Sequence, residues 1–206
     1  MWLYLAITLV AAYLLGNLNG AVLISHMLHD DVRSHGSGNA GLTNFIRSYG
    51  ANRAASVILI DAGKAVVACL LGGLLLKSDL GYTAGAALGG AAVMLGHVFP
   101  VFLGFRGGKG ILSGLFVAVC TDWRVALLIL AVFAVFYLAT QYVSLGSVMS
   151  AVAFGVGFFV FHYGNWIVAG CGLFMGALAI FMHRQNIVRL LKGEERKTNL
   201  FKKKKD

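Results

Sequence analysis

Residues 57–76 read VILIDAGKAVVACLLGGLLL, an apolar run broken only by Asp61 and Lys64. An α-helix needs roughly 20 residues to cross the hydrocarbon core of a bilayer, and this run supplies them. Comparable runs occupy Trp2–Ile24 (interrupted by Asn17 and Asn19), Gly81–Leu103, Val125–Tyr142 and Trp166–Met182. Hydrophobic residues make up 59% of the chain and charged residues 12%, against roughly 25% charged in a soluble domain. A soluble fold of this size has no interior large enough for so much apolar surface. The chain therefore reads as an all-α integral membrane protein. Helices are expected near 2–25, 54–76, 81–103, 110–121, 124–142, 146–161 and 166–182, about seven transmembrane helices. Segment 110–121 is short for a span and is expected to tilt or to border a thinned or water-filled part of the protein. Met1–Tyr4 carries no charged side chain, unlike the basic start of a signal peptide. No linker or change of composition divides residues 1–206, which points to a single membrane-embedded domain. Gly85, Gly89 and Gly96 fall at spacings that let helices pack closely.

With seven spans, the polar segments alternate sides. One side receives 26–53, 104–110, 143–147 and 183–206, with Arg33, Arg47, Arg53, Arg106, Lys109 and the basic tail. The other receives 77–80, 122–123 and 162–165, bordered only by Lys77 and Arg124. Basic residues gather on the cytoplasmic side of membrane proteins, so the N-terminus is expected outside and the C-terminus in the cytoplasm. Much of the net charge of +9 lies in 183–206, with Lys192, Arg196, Lys197 and Lys202–Lys205. That is a cytoplasmic tail suited to anionic lipid. No nucleic-acid partner is expected, because no soluble binding module accompanies the charge. Cys69, Cys120 and Cys171 sit in apolar stretches without metal-like spacing and read as buried small hydrophobes.

The side with the basic residues also holds the unusual polar sequence. Ser37 to Asn44 reads SGNAGLTN, with Arg47 following. Gly, Ser and Asn free the backbone to expose N–H groups to an anion, and the arginine fork suits phosphate. The bland alternative is a polar loop with a helix cap at Thr43 or Asn44. Gly96 to Gly110 reads GHVFPVFLGFRGGKG. Gly107, Gly108 and Gly110 surround Lys109, so backbone amides can approach a ligand beside a point charge. It is not a Walker A loop: the spacing is one short, Gly110 replaces Ser/Thr, and no strand precedes it. A flexible turn with a snorkelling lysine is the alternative. Three glycines around one lysine favour phosphate. Tyr142 to Ser147, YVSLGS, is a short inner connection without charge. His183-Arg184-Gln185-Asn186 puts His183 and Asn186 on one helical face at a membrane exit, where a histidine can donate or accept a proton. An interfacial polar cluster is the bland version.

Asp61 and Lys64 are charges inside an expected span. Such charges are costly unless paired, so a mutual structural pair near the inner end is expected, with the first motif's Arg47 in reach. His26 to Asp31 fits H-x4-D, a signature of a different glycerolipid acyltransferase family that has a soluble α/β context. The match is short enough to arise by chance and receives no catalytic role. No carboxylate or Cys/His cluster has metal-ligand spacing.

Together these residues resemble the bacterial acyl-phosphate glycerol-3-phosphate acyltransferase family (PlsY). The resemblance rests on SGNxGxTN with Arg47, on GHxFPVFLxFxGGKG, on SLGS, and on HRxNIxRLxxGxE over His183–Glu195, in that order along the chain. Ala40 stands where proline is frequent and Ala65 where glycine is common, and neither changes a chemical group. The resemblance implies acyl transfer from a fatty acyl phosphate to sn-glycerol 3-phosphate. The products would be lysophosphatidic acid and phosphate, in the first acylation of phospholipid synthesis at the inner face of the bacterial plasma membrane. It implies catalytic roles for Ser37, Arg47, Lys109, His183 and Asn186, and a structural role for Glu195 beside Asp61 and Lys64. Substrate binding falls to Gly38, Asn39, Gly41, Thr43 and Asn44 in the first motif, to His97, Gly107, Gly108 and Gly110 in the second, and to Ser144 and Ser147.

That chemistry fits the residues. An acyl phosphate already has a good leaving group, so the enzyme has to neutralise charge and align a hydroxyl with the acyl carbon. Transfer is expected to be direct, with His183 or a substrate phosphate oxygen as the base. Membrane lipids are expected to surround the protein, with no cofactor and no obligate protein partner. The alternative reading is a transporter of a phosphorylated metabolite. A transporter needs access from both faces, whereas here the polar residues crowd one face.

Overall fold

In the computed structural model, which describes residues 1–198, every regular element is a helix. The run Lys202–Lys205 lies outside the described residues. The longer elements are α1 (Trp2–Gly16), α2 (Gly20–Met27), α3 (Leu42–Tyr49), α4 (Ala54–Leu75), the single turn α5 (Lys77–Leu80) and α6 (Tyr82–Val98). They continue with α7 (Ile111–Thr121), α8 (Trp123–Thr140), α9 (Val143–Phe161), α10 (Trp166–Met182) and α11 (Arg184–Leu191). By length and composition, four helical segments can each cross a bilayer. The number rises to six if α1–α2 and α10–α11 each form one bent span. The sequence expectation of about seven counted α7, which has 11 residues.

Helix α6 is the centre of the bundle. Almost all of its residues from Ala84 onward are buried, because small side chains face its neighbours on every side. A Cβ on Gly85 would lie 2.2 Å from the Gly72 carbonyl oxygen of α4, one on Gly89 2.2 Å from that of Ala68, and one on Gly96 2.0 Å from that of Tyr13 in α1. The glycines predicted to mediate close packing therefore do so, and only hydrogen fits at these crossings.

The helix expected over 2–25 is instead two helices meeting at 42° around Asn17–Asn19. A break inside a membrane frees backbone groups that water does not reach, so protein must satisfy them. Here Asp61 and Lys64 of α4 do this. Lys64 Nζ donates to the carbonyls of Gly16 and Leu18, and Asp61 Oδ1 accepts from the Gly20 amide at 3.2 Å. The two side chains also pair at 2.8 Å, with exposures of 1% and 3%. The predicted mutual pair exists. Its further partners are the α1–α2 break and His97, not Arg47. Asn19 caps α2 by accepting from the Val22 amide at 3.1 Å.

Three further departures have local causes. Residues 42–49, expected as loop, form α3, whose apolar Phe45 packs into a small core with Val22, Val32 and Val57. The expected connection at 143–147 is helical: α9 begins at Val143, directly after Tyr142 at the N-cap position, and Ser144 and Ser147 lie on its first two turns. Beyond Met182 the chain bends by 56° and continues as α11.

Candidate active site

The first polar motif is a loop built around one amide side chain. Asn44 of α3 is buried, and its Nδ2 donates to the carbonyls of Val32 and His35 at 2.9 and 3.0 Å. Its Oδ1 accepts the Ser37 amide at 2.9 Å. All three hydrogen-bonding positions that face the loop are therefore used to shape it. Asn19 donates to the Ala40 carbonyl at 3.0 Å and ties the same loop to the α1–α2 break. Ser37 and Gly38 stay exposed, while Asn39, Gly41 and Thr43 are half-buried. Gly41 starts α3 without a side-chain cap, so the first amides of the helix face outward, as anion-binding helix ends do. Arg47 stands two turns along.

The second motif folds back on α6. The amides of Gly107 and Gly108 donate to the carbonyls of Val98 and His97 at 3.2 and 3.1 Å. A Cβ on Gly108 would meet His97 Nε2 at 2.2 Å and the Ala40 carbonyl at 2.8 Å. The two loops are therefore pressed against each other, and Gly108 is glycine because nothing larger fits. Gly110, at φ +82°, turns the chain into α7. His97 is buried behind this loop, its Nδ1 accepting from Lys64 Nζ at 2.8 Å. It links the buried charge pair to the glycine loop and does not line the open side.

Lys109 reaches out of this loop to Asn186 on α11, where Nζ donates to Oδ1. Asn186 Nδ2 donates to Glu195 Oε1 at 2.9 Å, and Arg189 Nε donates to Glu195 Oε2 at 2.7 Å. Arg47 donates to the Thr198 hydroxyl from the other side and lies within electrostatic reach of Glu195, Arg189 and Lys109. His183, at the α10–α11 bend, is buried and in reach of Lys109 and Glu195. Its Nδ1 lies 2.8 Å from the Ala179 carbonyl. A carbonyl only accepts, so Nδ1 carries the proton and Nε2 keeps its lone pair. Ser144 and Ser147 are buried on the first turns of α9, and the Ser144 hydroxyl faces Glu195 without closing a hydrogen bond.

Three cations, Arg47, Lys109 and Arg189, thus share one carboxylate. Burial, reinforced by Arg189, pushes the Lys109 ammonium down to about 8. Burial also lowers the Arg47 guanidinium. Burial alone would raise the Glu195 carboxyl, and the hydrogen bonds from Asn186 and Arg189 overcome it and hold it below the usual carboxylate range. Such a cluster has room in its charge balance for a second anion, with a proton acceptor at its edge.

Of the residues proposed from sequence as catalytic, Arg47, Lys109, His183 and Asn186 come together here. Ser37 stands apart on the first loop, connected through Ala40 and Gly108. Sequence reasoning passed over Thr198, Tyr137 and Asn19. Tyr137 Oη donates to the Thr198 carbonyl at 2.9 Å, and the Thr198 amide donates to the Gln141 carbonyl at 3.0 Å. For Asn19 the signal was present, as an amide interrupting an apolar run; for Thr198 there was none. In the H-x4-D segment, His26 Nε2 is 3.7 Å from Asp31, whose carboxylate is held bidentately by Arg33. Among the described residues no three His, Cys, Asp or Glu side chains are grouped to hold a metal ion.

Residues 6–193 match the family model for glycerol-3-phosphate acyltransferase. The chain is 41% identical over 196 residues to a glycerol-3-phosphate acyltransferase of Thermoanaerobacter pseudethanolicus, covering 95% of this chain and 96% of that one. It is 40% identical over 195 residues to one from an Anaeromyxobacter species, covering 94% and 96%. Its fold is similar to the crystal structure of PlsY, an integral membrane glycerol 3-phosphate acyltransferase, in the glycerol 3-phosphate form. The TM-score is 0.86 at 33% identity, covering 96% of this chain and 99% of that one. The lysophosphatidic acid form of PlsY superposes with a TM-score of 0.82, covering 95% of each chain. A half-buried cation cluster on an all-helical membrane bundle, with these relatives along nearly its whole length, identifies the chain as a member of the glycerol-3-phosphate acyltransferase family and an acyltransferase of the integral-membrane PlsY type.

Proposed function

We propose that this enzyme transfers a fatty acyl group from acyl phosphate directly to sn-glycerol 3-phosphate, at the cytoplasmic face of a bacterial plasma membrane. The observation that carries the reading is the surplus of positive charge where Arg47, Lys109 and Arg189 meet around Glu195. Both substrates are phosphate anions, and the reaction needs both in one place. The glycerol hydroxyl oxygen attacks the acyl carbonyl carbon. A carbon–oxygen ester bond forms, the bond from that carbon to the phosphate oxygen breaks, and inorganic phosphate leaves. The hydroxyl proton passes to His183 Nε2, the free lone pair at the edge of the cluster. Lys109, held by Asn186, and Arg47 bind and neutralise phosphate, with charge-assisted contacts that strengthen as charge develops on the leaving group. The bare backbone of Gly107, Gly108 and Gly110, which leaves room for a ligand beside Lys109, and the uncapped start of α3 near Thr43 complete the cradle. Ser37, Gly38, Asn39 and Gly41 border it, with Ser144 and Ser147 below. Asn44, His97, Asp61 and Lys64 hold its loops in place. No cofactor, metal or protein partner enters this scheme.

The basic segments favour seven crossings with the N-terminus outside. α7 would be a short crossing beside the glycine loop. Purified protein in detergent is expected to form lysophosphatidic acid from acyl phosphate and glycerol 3-phosphate, and none from acyl-CoA or acyl carrier protein. Turnover with acyl-CoA, or flux across liposomes without product, would overturn the reading. Cysteines introduced at Ser34 and in the tail after Lys192 are expected to be shielded from an impermeant thiol reagent in intact cells, and those at Ser78 or Asn165 to label. The reverse pattern overturns the cytoplasmic site.

A further inference from the structure

Helix α11 presents two opposed faces. Asn186 is buried at 7% exposure and holds Lys109. At 100° per residue, Arg184 and Val188 lie about 160° and Leu191 about 140° around the helix from Asn186. Val188 is 50% exposed and Leu191 84%. The same outward face thus carries two bare aliphatic side chains, with Arg184 at one end and Lys192, just past the helix, at the other. No acidic residue lies between Arg184 and Lys192.

The position of this face relative to the bilayer follows from α10. Phe181, on the last turn of that helix, is 53% exposed on the outer surface of the bundle. The Arg184 guanidinium stacks 4.5 Å above its ring and donates to its carbonyl at 3.2 Å. An arginine at the end of a spanning helix, its stem lying over a lipid-facing ring, keeps its charge at the headgroup level. The chain then turns by 56°, so α11 leaves the α10 axis and leans toward the plane of that level, its first turn starting there. An aliphatic stripe flanked by cations, lying at the headgroup boundary, is how an interfacial amphipathic helix binds anionic lipid.

We infer that α11 seats on anionic phospholipid headgroups through Val188, Leu191, Arg184 and Lys192, and that this seating sets the position of Asn186 against Lys109. The inference rests on reading the Lys109–Asn186 cluster as the active site. It makes the enzyme responsive to the charge of the membrane that its own product class builds. The aliphatic pair fixes the depth of the helix. The two cations select charged over zwitterionic headgroups. Neither set contributes a hydrogen bond to the cluster of Lys109, Asn186, Arg189 and Glu195, so the effect runs through the geometry of Asn186.

The test has two independent arms. In the first, Leu191→Trp is made in a background with Trp2, Trp123 and Trp166 replaced by Phe, and the protein is reconstituted in vesicles. Its emission is expected to be quenched by brominated phosphatidylglycerol, and less by brominated phosphatidylcholine. In the second, acyl transfer is measured in vesicles of phosphatidylcholine with and without phosphatidylglycerol. The native enzyme is expected to run several-fold faster with phosphatidylglycerol. Arg184→Gln with Lys192→Gln is expected to erase that gain and leave the rate in pure phosphatidylcholine unchanged. Each basic residue near such a surface shifts occupancy on the order of fivefold, which sets the scale of the loss. Equal quenching by the two brominated lipids overturns the proposal, as does a double variant that keeps the full gain. Emission already blue-shifted and unquenched, from cover by a protein or a second copy, also overturns it. Failure of the active-site reading looks different: Lys109→Ala would keep its turnover while the quenching persisted.

Discussion

The protein contains two sheltered lysines, one buried and one half-buried, in very different company. Lys64, deep between α1, α4 and α6, has four partners: Asp61, the carbonyls of Gly16 and Leu18, and His97. Its charge is cancelled and its donors are used. Lys109, at the edge of the bundle, has one uncharged hydrogen-bond partner, Asn186, and must share the single carboxylate of Glu195 with Arg47 and Arg189. The comparison separates structure from function by satisfaction, not by burial. A lysine whose donors and charge are answered by the protein holds the protein together. One left with unanswered charge is waiting for an anion from outside.

The sharpest way to break this contrast is to remove each lysine in turn. Lys64→Ala leaves a buried carboxylate and two orphaned carbonyls at the α1–α2 break, at a cost of about 3–5 kcal/mol. It is expected to appear as a large fall in melting temperature or as loss of folded protein in detergent. Asp61→Leu with Lys64→Met removes the stranded charge and is expected to recover part, not all, of that loss, because the carbonyls stay unpaired. A Lys64→Ala protein that melts normally and loses only activity would erase the distinction. Lys109→Ala is expected to do the reverse. The protein inserts and melts normally or at a slightly higher temperature, since a cation crowded by two others is gone. Loss of a charge-assisted phosphate contact costs about 1.5–3 kcal/mol, roughly ten- to a hundredfold in kcat/KM. Lys109→Arg is expected to recover little, because a planar fork does not replace a compact ammonium between closely packed glycines.

The same lysine sets a pH dependence. Its ammonium is pushed down to about 8 by burial and Arg189, from the usual 10.5. It is charged below about 8 and neutral above, so kcat/KM for glycerol 3-phosphate is expected to fall as pH rises through about 8. In Lys109→Arg the remaining activity should show no such fall, which ties the limb to this side chain. Stability without substrate moves the other way. A lysine whose folded value lies below its unfolded value opposes folding while it is protonated. That penalty is fully present below about pH 8 and fades as pH rises toward 10.5. An activity limb that persists unchanged in Lys109→Arg would assign it to another group.

How much of this was visible in the residues alone follows the same line. Spanning helices announce themselves by hydropathy, and the packing of α6 by its glycines, because both depend on residue type and spacing. The break at Asn17–Asn19 was passed over since two amides in an apolar run look like an interruption. What makes it a break is the pair on α4 that supplies its lost partners. Arg47, Lys109, His183 and Asn186 stood out as chemistry, but their meeting point depends on the bend at His183 and on α11, which no composition marks. Asn44 and His97 illustrate the limit most directly. An amide or an imidazole beside a glycine loop has the same chemistry whether it faces a ligand or the loop. Only the destinations of its hydrogen bonds decide, and here they lead inward.

The smallest effect is expected at the residue with no signal in the sequence. Thr198 is fixed from two elements. Tyr137 of α8 donates to its carbonyl, and its own amide donates to the Gln141 carbonyl at the end of that helix. So held, its hydroxyl accepts from Arg47, and the segment after Gly193 passes beside Glu195 to reach it. Arg47 then has its direction set by a neutral group, which leaves its charge available to a phosphate. Thr198→Val keeps the shape and removes the acceptor. One hydrogen bond in a partly open setting is worth about 1 kcal/mol, so a roughly fivefold rise in KM for a phosphate substrate is expected, with kcat little changed. Thr198→Ser should restore it, because the hydroxyl returns. Tyr137→Phe should give a weaker copy of the same change, since it loosens Thr198 without removing the hydroxyl. If Thr198→Val and Thr198→Ser behave alike, the methyl group and not the hydroxyl is what matters at this position. Arg47 would then be left with only the longer-range pull of Glu195, and the two lysines would differ in one respect fewer: the cation beside Lys109 would also owe its placement to a charge within the protein.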